Sequence, residues 1–294
     1  LDIGCNDGSL LSFFAAKGAI AFGIEPTGAA ADASERGYTI VNDFFSETVA
    51  EDFVRRHGQP DIVTFTNVFA HIEDLKSVVR ALQLVCHKQT LIVIENHYLG
   101  AILDKNQFDT FYHEHPRTYS YTSFVYIADT LGLNIAKVEF PKRYGGNVRV
   151  MMQSAPQGAR HDQWEQVNSI EQSFGDDFEK LKDRVDVWRR VKGAQIQALV
   201  KQYGRLPAKA FPGRSAIPIK LLGLSEEHIS AVYEKPASGK IGHYVPGTRI
   251  PILSDDQFQT SSLPLLNLAW HISPEIRNYM SNSGFKGEIV DIID

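Results

Sequence analysis

Residues 2–8 read Asp-Ile-Gly-Cys-Asn-Asp-Gly and lie between the apolar end of a strand and a helix-like run that starts at Ser9. A small-residue turn in this position lets a ligand approach backbone N–H groups at the start of a helix. Asn6 stands between Gly4 and Gly8, and asparagine is one of the few residues besides glycine that tolerate a positive φ. The stretch therefore predicts a ligand-binding turn between the first strand and the first helix.

From this turn to about residue 152, short apolar runs bounded by turn residues alternate with helix-like stretches. This alternation is typical of a parallel sheet with crossover helices. The predicted strands are Leu1–Ile3, Ala19–Ile24, Thr39–Val41, Asp61–Thr66, Thr90–Ile94, Asn134–Glu139 and Asn147–Met152. The predicted helices lie near Ser9–Lys17, Ala29–Glu35, Ser46–His57, Leu75–Val85 and Thr122–Leu131.

Beyond these strands, residues from about Gln163 to Tyr203 carry apolar side chains at helical spacing among many charges, which predicts one or two amphipathic helices. Short apolar segments return further on, at Ile217–Leu222, Ile229–Tyr233, Arg249–Pro251 and Leu263–Leu268. The expected fold class is α/β, with a Rossmann-like seven-stranded domain over residues 1–155 and a helical connector over residues 156–204. Residues 205–294 are expected to form a second, smaller Rossmann-like α/β domain.

Composition excludes several classes of function. The 294 residues carry 30 Lys and Arg against 35 Asp and Glu, and no basic run is present, so a nucleic-acid partner is not expected. Two cysteines are too few for a disulfide framework or a four-cysteine zinc site, which favours a cytoplasmic location. The longest apolar runs fall far short of the ~20 residues that span a bilayer, so no membrane segment is expected.

Polar residues stand at the ends of the next predicted strands. Glu25 ends the second strand, where a carboxylate can accept hydrogen bonds from both hydroxyls of a ribose, and Asp43 follows the third strand, where it could meet an adenine amino group. Asn67 and His71 follow the fourth strand, at the edge where such sheets bind ligands. A nicotinamide enzyme would use much the same geometry, and a structural turn with a surface Glu25 is the plain alternative.

Five stretches resemble the sugar C-methyltransferases of deoxysugar biosynthesis, which use S-adenosylmethionine to methylate C3 of a nucleotide-linked 4-keto-6-deoxy hexose. They are Asp2–Leu11, Asn67–Leu75, Phe108–His115, Tyr144–Val150 and Gly242–Ile252, and the third ends in the specific run Tyr-His-Glu-His. The resemblance implies a zinc-binding cysteine domain upstream of Leu1. That expectation fits a chain that starts inside a strand without an initiator Met, and we expect no metal within the present residues.

The positions of these residues and the resemblance together indicate two sets of binding residues. S-adenosylmethionine is expected to contact Gly4, Asn6, Gly8, Glu25, Asp43 and Asn67 in the first domain. The candidates for binding a nucleotide-sugar are His71, Asn147, Arg149, Lys209, His243, Tyr244 and Arg249. Plain structural alternatives exist as well for five of them: His71 as a satisfied histidine at a sheet edge, Arg149 as a strand residue, and His243, Tyr244 and Arg249 as residues of a surface loop. The family usually opens its C-terminal domain with Gly-Ala-x-Ala-Lys-Gly, whereas residues 206–213 read Leu-Pro-Ala-Lys-Ala-Phe-Pro-Gly and keep the lysine without those glycines.

Carbon methylation beside a ketone needs a base that removes the α-proton and donors that hold the enolate oxygen. His115 is the candidate base, because an imidazole with its ordinary pKa of about 6.5 is largely neutral at pH 7. Glu114 could orient a histidine or take the proton itself, and Tyr112 could hydrogen-bond the enolate or the sugar. His113 is a secondary candidate for the base, on the family pattern rather than on geometry. The alternative is a loop of polar side chains bonded to the backbone.

The leading hypothesis is therefore an S-adenosylmethionine-dependent C-methyltransferase that methylates C3 of a nucleotide-linked 4-keto-6-deoxy sugar through an enolate. A methyltransferase acting on another small carbonyl or phenolic acceptor is the second hypothesis. A non-catalytic binding protein with this fold is the third, and a dehydrogenase follows from the fold alone.

Overall fold

A computed structural model describes residues 1–154, 164–259 and 262–293. The chain divides into two compact units, of which the first contains residues 1–105 and 113–176 and the second contains residues 106–112 and 177–294. The predicted domain boundary between residues 155 and 156 lies outside the described residues. The short segment 106–112 belongs to the second unit, although the residues on both sides of it belong to the first.

The first unit is built on one seven-stranded sheet. Its strands are β1 Asp2–Ile3, β2 Phe22–Ile24, β3 Thr39–Val41, β4 Ile62–Thr66, β5 Leu91–His97, β6 Asn134–Glu139 and β7 Asn147–Gln153. Their order across the sheet is β3-β2-β1-β4-β5-β7-β6, and β7 runs antiparallel to both of its neighbours while the other pairs are parallel. The predicted Rossmann-like sheet of seven strands is confirmed.

Helices cover this sheet. They are α1 Ser9–Ala15, α2 Ala29–Glu35, α3 Glu47–His57, α4 Leu75–Val85, α5 Leu99–Asp104, α6 Tyr121–Thr130 and α7 Trp164–Glu171. Local chemistry sets where they begin, because Ser46 and Asp74 accept hydrogen bonds from backbone N–H groups in the first turns of α3 and α4. The buried face of α4 carries Val78, Ala81, Leu82 and Val85, whose i, i+3, i+4, i+7 spacing packs one stripe into the core.

The second unit has its own sheet and core. Its strands are β8 Leu206–Lys209, β9 Ile229–Glu234, β10 Ile252–Ser254, β11 Leu265–Asn267 and β12 Ile289–Asp291, and its helices are α9 Ala216–Leu221, α10 Ser273–Asn282 and, from residue 177 on, α8 Phe174–Tyr203. All five strands are parallel, in the order β10-β9-β8-β11-β12. This order places β8 at the centre and confirms a second, smaller Rossmann-like sheet. In place of the predicted one or two amphipathic helices, the structure has two between residues 164 and 203, α7 and α8.

Among the helices of the described ranges, none combines the length and the apolar character that a membrane crossing requires.

Candidate active site

The turn after β1 adopts a left-handed backbone at three positions. Gly4, Asn6 and Gly8 have φ angles of 71°, 51° and 74°. Asn6 therefore takes the conformation that its residue type allows at low cost. Its backbone N–H donates to Glu25 Oε2 at 3.0 Å, and the Gly4 N–H donates to the Ile24 carbonyl at 2.7 Å. The end of β2 thus fixes the turn from one side.

Glu25 is buried at the end of β2, with 5% of its surface exposed. Its Oε1 accepts the backbone N–H of Thr27 at 2.9 Å, while Oε2 accepts that of Asn6. Each carboxylate oxygen has a second lone pair, so the side chain can still accept hydrogen bonds from the hydroxyls of a ribose. The position of Glu25 fits the predicted contact with the methyl donor.

A cavity of about 550 Å³ opens beside this turn. Residues from the ends of β1, β2 and β4 and from the loop after β3 line it, among them Gly4, Ile24, Pro26, Phe44, Phe65 and Val68. The volume lies in the range of small-molecule sites, and a mainly apolar wall with a few polar groups is typical of them. The chain's residues therefore fit a nucleoside of the size of S-adenosylmethionine.

Gly4 is the point of closest approach in this wall. A Cβ atom built on Gly4 would lie 2.4 Å from Val68 Cγ2, whereas one built on Gly18, which also has a positive φ of 85°, would meet nothing within 4 Å. Both glycines would therefore impose the left-handed backbone penalty on an alanine, but only Gly4 adds a steric clash at the cavity.

We expect Gly4→Ala to weaken the binding of S-adenosylhomocysteine by at least about tenfold, a factor equal to about 1.4 kcal/mol, because Val68 or the turn must move. Gly18→Ala is the matched control and should bind the nucleoside as the unaltered protein does. Isothermal titration calorimetry measures both. Equal affinities for the two variants would show that the turn does not contact the nucleoside.

Asp43 is not among the residues that line the cavity, whereas the two aromatic residues that follow it are. Asp43 is exposed, and its Oδ1 accepts the backbone N–H of Phe44 at 2.7 Å. Phe44 and Phe45 line the cavity, and sequence reasoning missed both. A signal was present in two consecutive aromatic residues that begin three positions after the last residue of a short strand. The adenine contact of Asp43 remains a prediction.

Three imidazole rings of the first unit lie together at the carboxyl ends of β4 and β5. The His115 ring centroid is 4.8 Å from that of His71 and 5.3 Å from that of His97. His71 Nδ1 lies 2.7 Å from the carbonyl oxygen of Glu114. A carbonyl can only accept, so Nδ1 carries the hydrogen and a neutral His71 has its lone pair at Nε2. Sequence reasoning missed His97, because β5 was predicted to end at Ile94.

A buried polar network lies next to these rings. Glu95 and His97 share one face of β5 and pair across the antiparallel ladder with Arg149 and Asn147 of β7. Arg149 Nε donates to Glu95 Oε2 at 2.7 Å, and Asn147 Nδ2 donates to Glu95 Oε1 at 2.8 Å. Asn147 Nδ2 also donates to Asn67 Oδ1 at 3.1 Å. The network thus joins three predicted binding residues to Glu95, which the sequence did not single out.

The residues of the Tyr-His-Glu-His run differ in their surroundings. His113 is a surface residue, with 88% of its side chain exposed, and its Nε2 lies 3.9 Å from Glu114 Oε1. Glu114 is also largely exposed, and its backbone carbonyl contacts His71. Tyr112 belongs to the second unit, where its backbone N–H donates to the Thr110 carbonyl.

Lys209 ends the central strand β8 of the second unit, and its charge is already paired. Its Nζ lies 2.6 Å from both carboxylate oxygens of Asp255, and Tyr279 Oη donates to the same carboxylate at 2.7 Å. The lysine is 2% exposed. Ala210, which stands where the family pattern has glycine, adopts a positive φ of 60°. A phosphate could bind Lys209 only in competition with Asp255, so that role remains a prediction.

The remaining three candidates lie on the surface of the second unit. His243, Tyr244 and Arg249 are all exposed, and Tyr244 forms an isolated antiparallel bridge with Pro251. Their predicted contact with a diphosphate or a base stays a prediction.

Burial governs the reactivity of the cysteine in the donor turn. It raises the pKa of the Cys5 thiol to about 12, so this thiol is not a nucleophile at neutral pH. In residues 1–154, 164–259 and 262–293, no group of three or more His, Cys, Asp or Glu side chains is arranged to hold a metal ion.

Comparison with known proteins gives matches along nearly all of the chain. A model described as a methyltransferase domain matches residues 1–138, and one described as a C-methyltransferase C-terminal domain matches residues 142–290. The chain is 30% identical to the C-methyltransferase NovU of Streptomyces niveus over 299 residues, which cover 97% of this chain and 70% of that protein. It is also 38% identical to ubiquinone biosynthesis O-methyltransferase of Escherichia coli over 86 residues, which cover 28% of this chain and 35% of that protein.

Two solved structures show a partial likeness. The magnesium protoporphyrin IX methyltransferase of Synechocystis PCC 6803 with bound SAH has a TM-score of 0.41 and 16% identity, over 52% of this chain and 73% of that one. A SAM-dependent methyltransferase from Anabaena variabilis has a TM-score of 0.43 and 13% identity, over 52% of this chain and 76% of that one.

The two matched family models leave little of the chain unassigned, and the C-methyltransferase relative aligns with both of its units. Methyl transfer to carbon is therefore the chemistry of this protein. The chain belongs to the C-methyltransferase family and is an S-adenosylmethionine-dependent C-methyltransferase.

Proposed function

We propose that this enzyme methylates C3 of a nucleotide-linked 4-keto-6-deoxy sugar, with His115 as the base that removes the C3 proton. The observation that carries the proposal is the cluster of His71, His97 and His115 at the carboxyl edge of β4 and β5. The proposal also rests on the resemblance of the Tyr-His-Glu-His run to the sugar C-methyltransferases. A cytoplasmic location is part of it and agrees with two free cysteines.

Different residues of the first unit remove the proton, bind the sugar and bind the methyl donor. When bound, S-adenosylmethionine supplies an electrophilic methyl group but no base. His115 is half-buried and takes the proton that leaves C3, which turns its ring into an imidazolium. His71, whose tautomer is set by the Glu114 carbonyl, offers Nε2 as an acceptor for a hydroxyl of the sugar. Gly4, Asn6, Gly8, Glu25 and Asn67 hold the donor.

Solvent deuterium exchange tests this reaction. With S-adenosylhomocysteine in the donor site, no methyl group can be transferred, but the base can still remove the C3 proton. We expect a dTDP-4-keto-6-deoxy sugar to gain one deuterium at C3 in heavy water, measured by proton NMR and mass spectrometry. A sugar that lacks the 4-keto group is the control and should gain none, because its C3 proton is not acidified.

Another small carbonyl or phenolic acceptor is the second candidate. It is favoured by the pairing of Lys209 with Asp255, since this lysine lies in the altered turn that opens the C-terminal domain. Absence of exchange with several keto-sugars, together with normal binding of S-adenosylhomocysteine, would favour that candidate over the sugar.

A further inference from the structure

Glu95 is an acid that neither the sequence nor the proposed mechanism assigns to the reaction. It lies in β5 with only 4% of its side chain exposed, and Arg149 is its counter-ion, with Nη2 at 2.6 Å from Oε2. A buried carboxylate with both oxygens bonded can only accept hydrogen bonds. It therefore dictates which atom each of its neighbours turns towards it.

Glu95 in this way sets the orientation of two side-chain amides, those of Asn147 and Asn67. Asn147 is 1% exposed and must present Nδ2 to Glu95 Oε1, because its own oxygen would repel the carboxylate. The same Nδ2 donates to Asn67, so Asn67 must turn Oδ1 towards Asn147. The Oδ1 atom of Asn147 is buried and has no hydrogen-bond partner within the described part of the chain. Asn147 thus holds this orientation at the expense of its own oxygen, as expected if Glu95 sets it.

The two contacts fix which way the Asn67 side-chain amide is turned. With Oδ1 engaged, its Nδ2 points away from Asn147 and is a donor. Asn67 has a positive φ of 56° at the end of β4 and precedes Val68, which packs against Gly4 and lines the donor cavity. Asn67 is therefore joined through Val68 to the glycine turn, which we take to bind the amino-acid end of S-adenosylmethionine.

We propose that Glu95 is a positioning residue that, through Asn147, orients the Asn67 amide so that its Nδ2 donates to the carboxylate of the methyl donor. The inference rests on the donor-binding role proposed for Asn67. In Glu95→Gln, Oε1 of the new amide stays with Arg149 and its Nε2 faces Asn147. Both asparagine amides then turn over, and Asn67 presents an oxygen to the ligand carboxylate.

Two nucleosides and three variants test this relay by isothermal titration calorimetry. We expect Glu95→Gln to weaken binding of S-adenosylhomocysteine by about tenfold or more, because a hydrogen bond to a charged group is replaced by a repulsion. Methylthioadenosine is the same nucleoside without the amino-acid part. The affinity of Glu95→Gln for it should lie within about twofold of the affinity of the unaltered protein. Glu139→Gln is the matched control, since Glu139 Oε2 also binds Arg149 but contacts neither amide.

Asn147→Ala breaks the relay one step later and leaves the pair of Glu95 and Arg149 intact. It should weaken S-adenosylhomocysteine selectively as well, and it serves if Glu95→Gln does not fold. Unchanged or tighter binding of S-adenosylhomocysteine by the folded variants would overturn the relay, and so would an equal loss for both nucleosides. None of these titrations contains the keto-sugar substrate, so failure of the relay is distinct from failure of the C3 exchange.

Discussion

His115→Gln is expected to slow deuterium uptake at C3 of the keto-sugar by about 10²- to 10⁴-fold, which is the usual contribution of a general base. Glutamine keeps the approximate volume of the imidazole and can still hydrogen-bond, but it cannot take up a proton at neutral pH. Methyl transfer should fall by a similar factor, whereas S-adenosylhomocysteine should bind as before, because His115 is not among the residues proposed to hold the donor.

His113→Gln is the matched control for this substitution. The two histidines are two residues apart, but His113 is a surface side chain, whereas His115 packs against His71 and His97. We expect the His113 variant to exchange at the unaltered rate. Full exchange in the His115 variant would clear His115 of the role and direct attention to Nε2 of His71, which carries the lone pair because Nδ1 donates to the Glu114 carbonyl.

The fold of the first unit followed from local signals. Each of its seven strands is a short apolar run between turn residues. The spacing of apolar residues and the positions of the turn residues were therefore sufficient to find the strands, to within a few residues at their ends. Strand order was beyond such signals, because the insertion of β7 between β5 and β6 depends on pairing between distant segments. The second unit was harder. Strands β8 and β12 have four and three residues, too few for a periodic pattern, and the apolar segment 217–222 lies on helix α9 up to Leu221.

The candidate site divides in the same way. The conformation of Asn6 and the position of Glu25 at the end of β2 follow from residue type and from place in a βα unit, and both could be predicted. His97 and Glu95 could not, because their importance comes from neighbours contributed by other strands. Pairing of Lys209 with Asp255 is likewise a contact across 46 residues. Sequence spacing carries no information about such partners until the sheet is formed.

Arg214→Met is expected to destabilise the second unit by about 3–5 kcal/mol, the usual cost of leaving one partner of a buried ion pair uncompensated. Arg214 Nε and Nη2 donate to the two carboxylate oxygens of Asp109 at 2.8 and 2.7 Å, and the two side chains are 8% and 0% exposed. Trp270 Nε1 donates to the same carboxylate at 2.8 Å. Without Arg214, Asp109 would remain a buried anion in the segment 106–112. Urea unfolding followed by tryptophan fluorescence measures the loss, since Trp188 and Trp270 both lie in this unit.

Arg277→Met is the control, because the ion pair of Arg277 with Asp291 has a separation of 2.8 Å, close to the 2.7 Å of Arg214 with Asp109, but its arginine is 47% exposed. Solvent screens such a pair, so its removal should cost no more than about 1 kcal/mol. The double variant Asp109→Leu, Arg214→Met should be more stable than Arg214→Met alone, because it leaves no buried charge, although Trp270 then loses its acceptor. If Arg214→Met cost no more than Arg277→Met, Asp109 would have to be hydrated in solution. If the double variant were the less stable of the two, packing rather than charge would hold the segment 106–112 in place.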